Sequence, residues 1–222
     1  ARLGYGGWAL PHLPLPISLR IDGGERIAIV GLNGVGKSTL LRTLTREIAP
    51  VEGEARIGRE LRPGNLTQEH ETLPRDLTPR EYMVALLEDK NINSFDAAQE
   101  LFRHGLTLRQ VDCPIAELNP GARARALLAS FAARQVNLLV LDEPSNHLDE
   151  EAVREVLGAL ESYSGTVVCV SHDRCFLRGL SPHRTLALAM HRGLEEVDSV
   201  ESYIVETDEA ARAVAETCFH TR

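Results

Sequence analysis

The feature that most constrains this chain lies between Gly31 and Thr39, where the sequence reads GLNGVGKST, an instance of G-x-x-x-x-G-K-[ST]. The pattern has physical meaning only between a strand and a helix, and both are legible here. Arg26–Val30 (RIAIV) is a short apolar, β-prone run, and Leu40–Thr45 is apolar at helical spacing. Glycines in such a turn let backbone N–H groups face inward around phosphate oxygens, and the helix that starts there adds the positive end of its dipole. Lys37 is one of two lysines in the chain, against 22 arginines. A compact ammonium on a flexible stem reaches between phosphates where a planar guanidinium does not fit. Ser38 then leaves a hydroxyl free for a magnesium ion. The residues assigned to nucleotide binding are therefore Gly31, Leu32, Asn33, Gly34, Val35, Gly36, Lys37, Ser38 and Thr39.

Bulk properties narrow the class. The 222 residues suffice for a large core, and 43% hydrophobic with 25% charged residues is a globular composition. No apolar run approaches 18 residues, so no membrane span is expected, and the N-terminal stretch lacks the pattern of a secretory signal. The expected location is cytoplasmic. Cys113, Cys169, Cys175 and Cys218 have no metal-type spacing and are expected to be buried thiols. A net charge of −8 argues against binding bare DNA or RNA through the domain's own surface.

A pass along the chain gives one domain over residues 1–222. Ile17–Gly24 reads as an antiparallel strand and turn, Gly53–Gly58 as a short strand, and Gly64–Gln68 as another. A helical subdomain is expected over about 72–134. Thr78-Pro79-Arg80-Glu81 starts its first helix, Ser94 caps a second over Phe95–Phe102, and a third runs from about Gly121 to Arg134. Strand patterns return at Leu138–Leu141, Thr166–Val170 and Thr185–Met190, with a helix over Glu151–Leu160 and a closing helix over about 199–217. Strands buried on both faces with helices between them mean a parallel α/β sheet.

A phosphate loop implies a nucleotide and nothing more. A reaction needs a metal ligand and a group that activates water, and the run Leu138–Leu141 ends in Asp142-Glu143. Successive side chains at a strand tip point opposite ways, so Asp142 can face a magnesium shell while Glu143 faces water in line with a terminal phosphate. The Thr166–Val170 run leads into Ser171-His172, where an imidazole can donate to a γ-phosphate. In a parallel sheet these strand ends share one crevice with the glycine loop.

Taken together, these segments resemble an ATP-binding cassette (ABC) domain. GLNGVGKST resembles its Walker A motif, Leu138–Glu143 its Walker B with catalytic glutamate, and Val170–Leu177 its switch-histidine segment. Asp142–Asp149 (DEPSNHLD) is similar to the DEPTNHLD of the ABC-F subfamily, whose members also carry SHDRxFL at the histidine. The resemblance covers about residues 1–205. It implies an α/β P-loop NTPase fold: a nucleotide-binding domain with a parallel core sheet, an antiparallel β-subdomain and a helical subdomain. It also implies ATP and Mg²⁺ held between two cassettes arranged head to tail. By the same resemblance, Gln68 touches magnesium and attacking water, Ser145–Asp149 forms the loop that crosses the dimer interface, and an N-terminal aromatic residue stacks on adenine. Tyr5 fits that position by local pattern and Trp8 by its spacing to Lys37; Tyr5 is the residue taken. Family members are soluble two-cassette factors that act on the ribosome in translation or antibiotic resistance, and this chain resembles the second cassette. The alternative is the ATP-binding subunit of a membrane transporter, against which NHLD and SHDRxFL speak.

One motif departs from the family. Where the signature LSGGQ or LSGGE is expected, the chain has Leu118-Asn119-Pro120-Gly121-Ala122. The first glycine N–H of that motif meets the γ-phosphate bound to the partner cassette, and proline has no N–H to offer. The half-site given to a partner is therefore expected to be impaired, with poor turnover by the isolated chain.

Overall fold

The computed structural model describes residues 1–5, 8–9, 16–56, 58, 60–66, 73–88, 93–146 and 148–205. Its centre is a six-stranded sheet built from β3 (Arg26–Val30), β4 (Pro63–Asn65), β5 (Leu138–Asp142), β6 (Thr166–Val170), β7 (Arg184–Ala189) and β8 (Gly193–Val197). The spatial order is β4-β5-β6-β3-β7-β8. All neighbours are parallel except β7 and β8, which pair antiparallel. A separate hairpin joins β1 (Gly4–Tyr5) to β2 (Trp8–Ala9).

The apolar runs are unbroken because the sheet is covered on both faces. Ala28, Val30, Leu139, Leu141, Val167 and Cys169 point to one side. There they pack with Leu127, Leu128 and Phe131 of α5 (Pro120–Ala133), Val153, Val156 and Leu160 of α6 (Glu150–Glu161), and Phe176 and Leu177 of α7 (Arg174–Leu180). The alternate residues Ile27, Ile29, Leu138, Val140, Val168 and Val170 point to the other side, against Leu40 and Leu41 of α1 (Lys37–Leu44). This period-two partition of β3, β5 and β6 fixes their register, since a one-residue slip would exchange the two cores.

The helical subdomain forms a third cluster. Met83 of α2 (Pro79–Leu86), Ala97 and Leu101 of α3 (Ser94–Arg103) and Val111 of α4 (Leu108–Val111) pack on Ala126 and Ala129 of α5. Thr78 starts α2 with a complete capping box to Glu81. The cap of α3 is Asn93 and not Ser94: the Asn93 side chain accepts from both Phe95 N–H and Asp96 N–H.

Two further expectations are corrected. Ile17–Ile21 is not a strand; Ile17 exchanges hydrogen bonds with Ala1 alone, and the chain then turns at Gly23-Gly24. The described part of Gly53–Gly58 is irregular, and the pairing there is a single bridge between Arg2 and Glu52. Among the described residues the antiparallel pairing outside the six-stranded sheet is thus the β1–β2 hairpin and that bridge. The strand read over Gly64–Gln68 is β4, one residue earlier at Pro63, with Thr67 and Gln68 outside the described residues. Of the thiols, Cys169 is buried, Cys113 half-buried and Cys175 exposed. Residues 200–205 are helical, and the rest of the closing helix lies outside the described residues.

Leu141 is fully buried between β4-side and β6-side neighbours on the α5–α6 face. Truncation to alanine removes three buried carbons from a core that collapses poorly. Leu141→Ala is expected to lower unfolding free energy by about 2–5 kcal/mol in a urea titration, with an unchanged slope.

Candidate functional site

The parallel register brings three strand ends to one edge. Ile29 lies opposite Val170, and Asp142 opposite the same Val170 from the other side, so β3, β6 and β5 terminate together. Beyond these tips lie the glycine loop, Glu143 and His172.

Gly31 opens the loop with φ 150°, directly beneath β7: a Cβ built there would collide with the Leu188 carbonyl oxygen. Gly36, φ 109°, is the N-cap of α1 and gives no side-chain cap, which leaves the helix's first N–H groups turned toward the crevice. Ser38 is the second residue of α1 and is exposed, whereas Val35 is buried in the core and pins the loop from below.

Lys37 is only 6% exposed, and its ammonium is fully engaged. Nζ donates to the Gly31 carbonyl at 2.9 Å and to the Leu32 carbonyl at 2.9 Å, and stands 2.9 Å from His172 Nε2. An ammonium has no acceptor, so the imidazole lone pair receives this bond at Nε2 and the ring proton sits on Nδ1. Burial pulls the lysine's pKa below its ordinary value, and the nearby carboxylates of Glu143 and Asp142 oppose that shift.

Glu143 adopts φ 50°, a left-handed conformation uncommon for a residue with a Cβ. It is held there from both ends: its N–H donates to the Val170 carbonyl at 2.8 Å, and its Oε2 accepts from His172 N–H at 3.2 Å. Its Oε1 lies 3.4 Å from His172 Nε2. Lys37, His172 and Glu143 thus form one chain of contacts that closes the mouth of the loop. Beneath it, burial pushes the Cys169 thiol well above its ordinary pKa, and the charges of Glu143 and Asp142 add to the rise. That thiol is a packing group and no nucleophile.

Asp142 and Ser38 supply oxygen donors, which suits a hard divalent cation that completes its shell with water and phosphate oxygens. Among the described residues no group of three histidine, cysteine or acidic side chains forms a stand-alone metal site. Gln68 lies outside the described residues. The hairpin register sets Tyr5 opposite Trp8, so the backbone does not separate the two aromatic candidates. Asp149 acts as the N-cap of α6, accepting from Ala152 N–H at 2.8 Å.

A family model described as "ABC transporter" matches residues 15–146. The chain belongs to this family. It is 39% identical over 160 residues to "ABC transporter F family member 4" of Arabidopsis thaliana, covering 71% of this chain and 22% of that protein. It is 38% identical over 158 residues to "Ribosome protection protein VmlR" of Bacillus subtilis, covering 71% of this chain and 28% of that protein. The chain therefore spans about a quarter of the length of these relatives. Among solved structures, the ATP-binding cassette MJ0796, in a dimeric post-hydrolysis state bound to ADP and Pi, superposes with a TM-score of 0.59 at 25% identity. That match covers 80% of this chain and 88% of that one. The P-loop α/β cassette fold and the F-subfamily kinship read from the motifs are those of its relatives.

Sequence reasoning missed one residue at a motif it had singled out. Glu155 of α6 reaches the signature segment, where its Oε1 accepts from Asn119 Nδ2 at 2.7 Å and its Oε2 from Gly121 N–H at 3.2 Å. A glutamate on an amphipathic helix carries no signal that it does more than face solvent.

Gly31→Ala forces the Leu188 carbonyl and the loop apart. The expected result is a fall of several degrees in the thermal midpoint, together with loss of nucleotide-induced stabilisation in the same melting experiment.

Proposed function

We propose that this chain is an ATP-hydrolysing cassette, and that it works as one half of a head-to-tail pair. The observation that carries this reading is the convergence of the Lys37 ammonium, the His172 imidazole and the Glu143 carboxylate over a glycine loop at the head of α1. The two loop carbonyls that accept from the buried Lys37 ammonium stand in for phosphate oxygens, and the ammonium exchanges them for the β- and γ-phosphates of ATP. Released from Lys37, His172 turns its Nε2 toward the γ-phosphate as a hydrogen-bond donor after a tautomer change or protonation. Glu143, positioned by Val170 and by the His172 backbone, orients water for in-line attack. Asp142 and Ser38, with Gln68, would hold a magnesium ion, which neutralises phosphate charge when bound. The adenine rests on Tyr5.

The second cassette in the pair is supported by the dimeric state of the solved cassette, and the ribosome as client by the similarity to the ribosome protection protein VmlR. On this reading the chain is the second cassette of a longer cytoplasmic factor in translation or antibiotic resistance. ATP draws the cassettes together and hydrolysis lets them part, a population switch governed by γ-phosphate contacts. No helix of the described residues is long and apolar enough to cross a membrane.

Two measurements test the proposal. Glu143→Gln is expected to keep ATP binding and lower turnover by about 10²–10⁴-fold, whereas Lys37→Ala loses binding itself, as read by fluorescent-nucleotide titration beside phosphate release. Full activity in Glu143→Gln would refute the assigned role. Full-length protein carrying Glu143→Gln is expected to sediment with ribosomes with ATP and not without it; no ribosome binding in either condition returns the transporter-motor reading.

A further inference from the structure

Helix α5 begins at the altered signature, and its N-terminal donors can be accounted for one by one. A helix start leaves its first N–H groups without intrahelical acceptors, and in most helices a side chain, water or ligand serves them. Pro120, at the first position, has no N–H. Gly121 N–H donates to Glu155 Oε2 at 3.2 Å. Ala122 N–H donates to Asn119 Oδ1 at 2.8 Å, and Arg123 N–H to the Asn119 carbonyl at 3.0 Å. The Asn119 amide nitrogen donates to Glu155 Oε1 at 2.7 Å. Both carboxylate oxygens are thereby occupied, and the backbone N–H groups of Gly121, Ala122 and Arg123 each have an acceptor within the chain.

The fit is close as well as complete. Gly121 is buried, and a Cβ built on it would overlap Glu155 Cβ. Glycine is what allows the stem of Glu155 to cross the helix start at this separation, so the carboxylate is seated by packing as well as by charge. A negative group at the positive end of a fourteen-residue helix is also favoured electrostatically.

We propose that Glu155 is a built-in plug: its carboxylate occupies the donor face that this chain would otherwise offer to the γ-phosphate of a partner cassette. The proposal rests on the head-to-tail reading given above. It shifts the cause of the impaired half-site. Restoring the missing glycine at position 120 adds an N–H, but Glu155 still covers its neighbours. The chain thus receives completion of its own ATP site from a partner while withholding the reciprocal contact.

The test compares two proteins in the Glu143→Gln background, which holds ATP unhydrolysed. One carries Asn119→Ser and Pro120→Gly, restoring serine and glycine to the signature; the other carries these and Glu155→Ala. Alanine suits the interior of α6, and binding of ATP to both proteins verifies that each is folded. ATP-dependent self-association is then read by analytical ultracentrifugation. The expected result is equal ATP affinity, with self-association tightened about tenfold or more by Glu155→Ala, the scale of one charge-assisted hydrogen bond. Glu155→Gln, which keeps the shape and drops the charge, shifts in the same direction by less. Equal self-association with and without Glu155, strong or absent in both, overturns the plug while leaving the ATP reading intact. Failure of both proteins to bind ATP overturns that reading and the plug with it.

Discussion

The buried ammonium of Lys37 is the interaction on which the site depends. It lies in a loop that has left β3, yet its third bond goes to His172, just past the end of β6, so one cation ties together the tips of two adjacent strands. A charge at this depth needs oxygens or lone pairs around it, and the Gly31 and Leu32 carbonyls provide them only because the loop curls back over its own lysine. The curl in turn requires Gly31 to pass under Leu188 without a side chain. One electrostatic demand therefore fixes a glycine and the placement of the histidine past the end of β6.

The same demand sets the chemistry. Two carboxylates, Asp142 and Glu143, stand near one ammonium, and both favour its charged form against the effect of burial. A crevice with more negative than positive side chains does not by itself attract a polyanionic triphosphate. The helix dipole and loop amides supply part of the missing positive potential, and a divalent cation supplies the rest, which is why oxygen donors at Ser38 and Asp142 belong to the same design. Glu143 in a left-handed conformation is the cost of placing a second acid beyond Asp142, and the hydrogen bonds to Val170 and His172 offset that strain.

Much of this was legible because its causes are local. The runs RIAIV and TVVCV coincide residue for residue with β3 and β6, since strands covered on both faces cannot tolerate interruption. Thr78 and Glu81 disclosed a helix start because a capping box is a short-range device. Adjacent residues with the same capping chemistry, Asn93 and Ser94, could not be ranked by sequence; tertiary placement chose the asparagine. The edge strand β8, with Glu195 and Glu196 amid Gly193–Val197, carries no buried run and was not read at all. Lys37 and His172 were each assigned to phosphate, and their contact with one another across 135 positions has no sequence signature.

Glu155 belongs to this last kind, and its position also has a thermodynamic consequence. A carboxylate on the same chain meets the α5 N-terminus at an effective concentration that no external phosphate matches, because its approach is fixed by the packing of α6 on α5 and costs no translational entropy. Helix stability gains the same whether the anion is internal or external. The two cases differ only in whether a second nucleotide can displace it. A proline at the first position, which lacks an N–H, removes one of the contacts by which such a competitor would gain ground. Pro120 and Glu155 therefore act in one direction: the proline withdraws a donor from outside ligands, and the glutamate holds the Gly121 N–H and the Asn119 amide beside it.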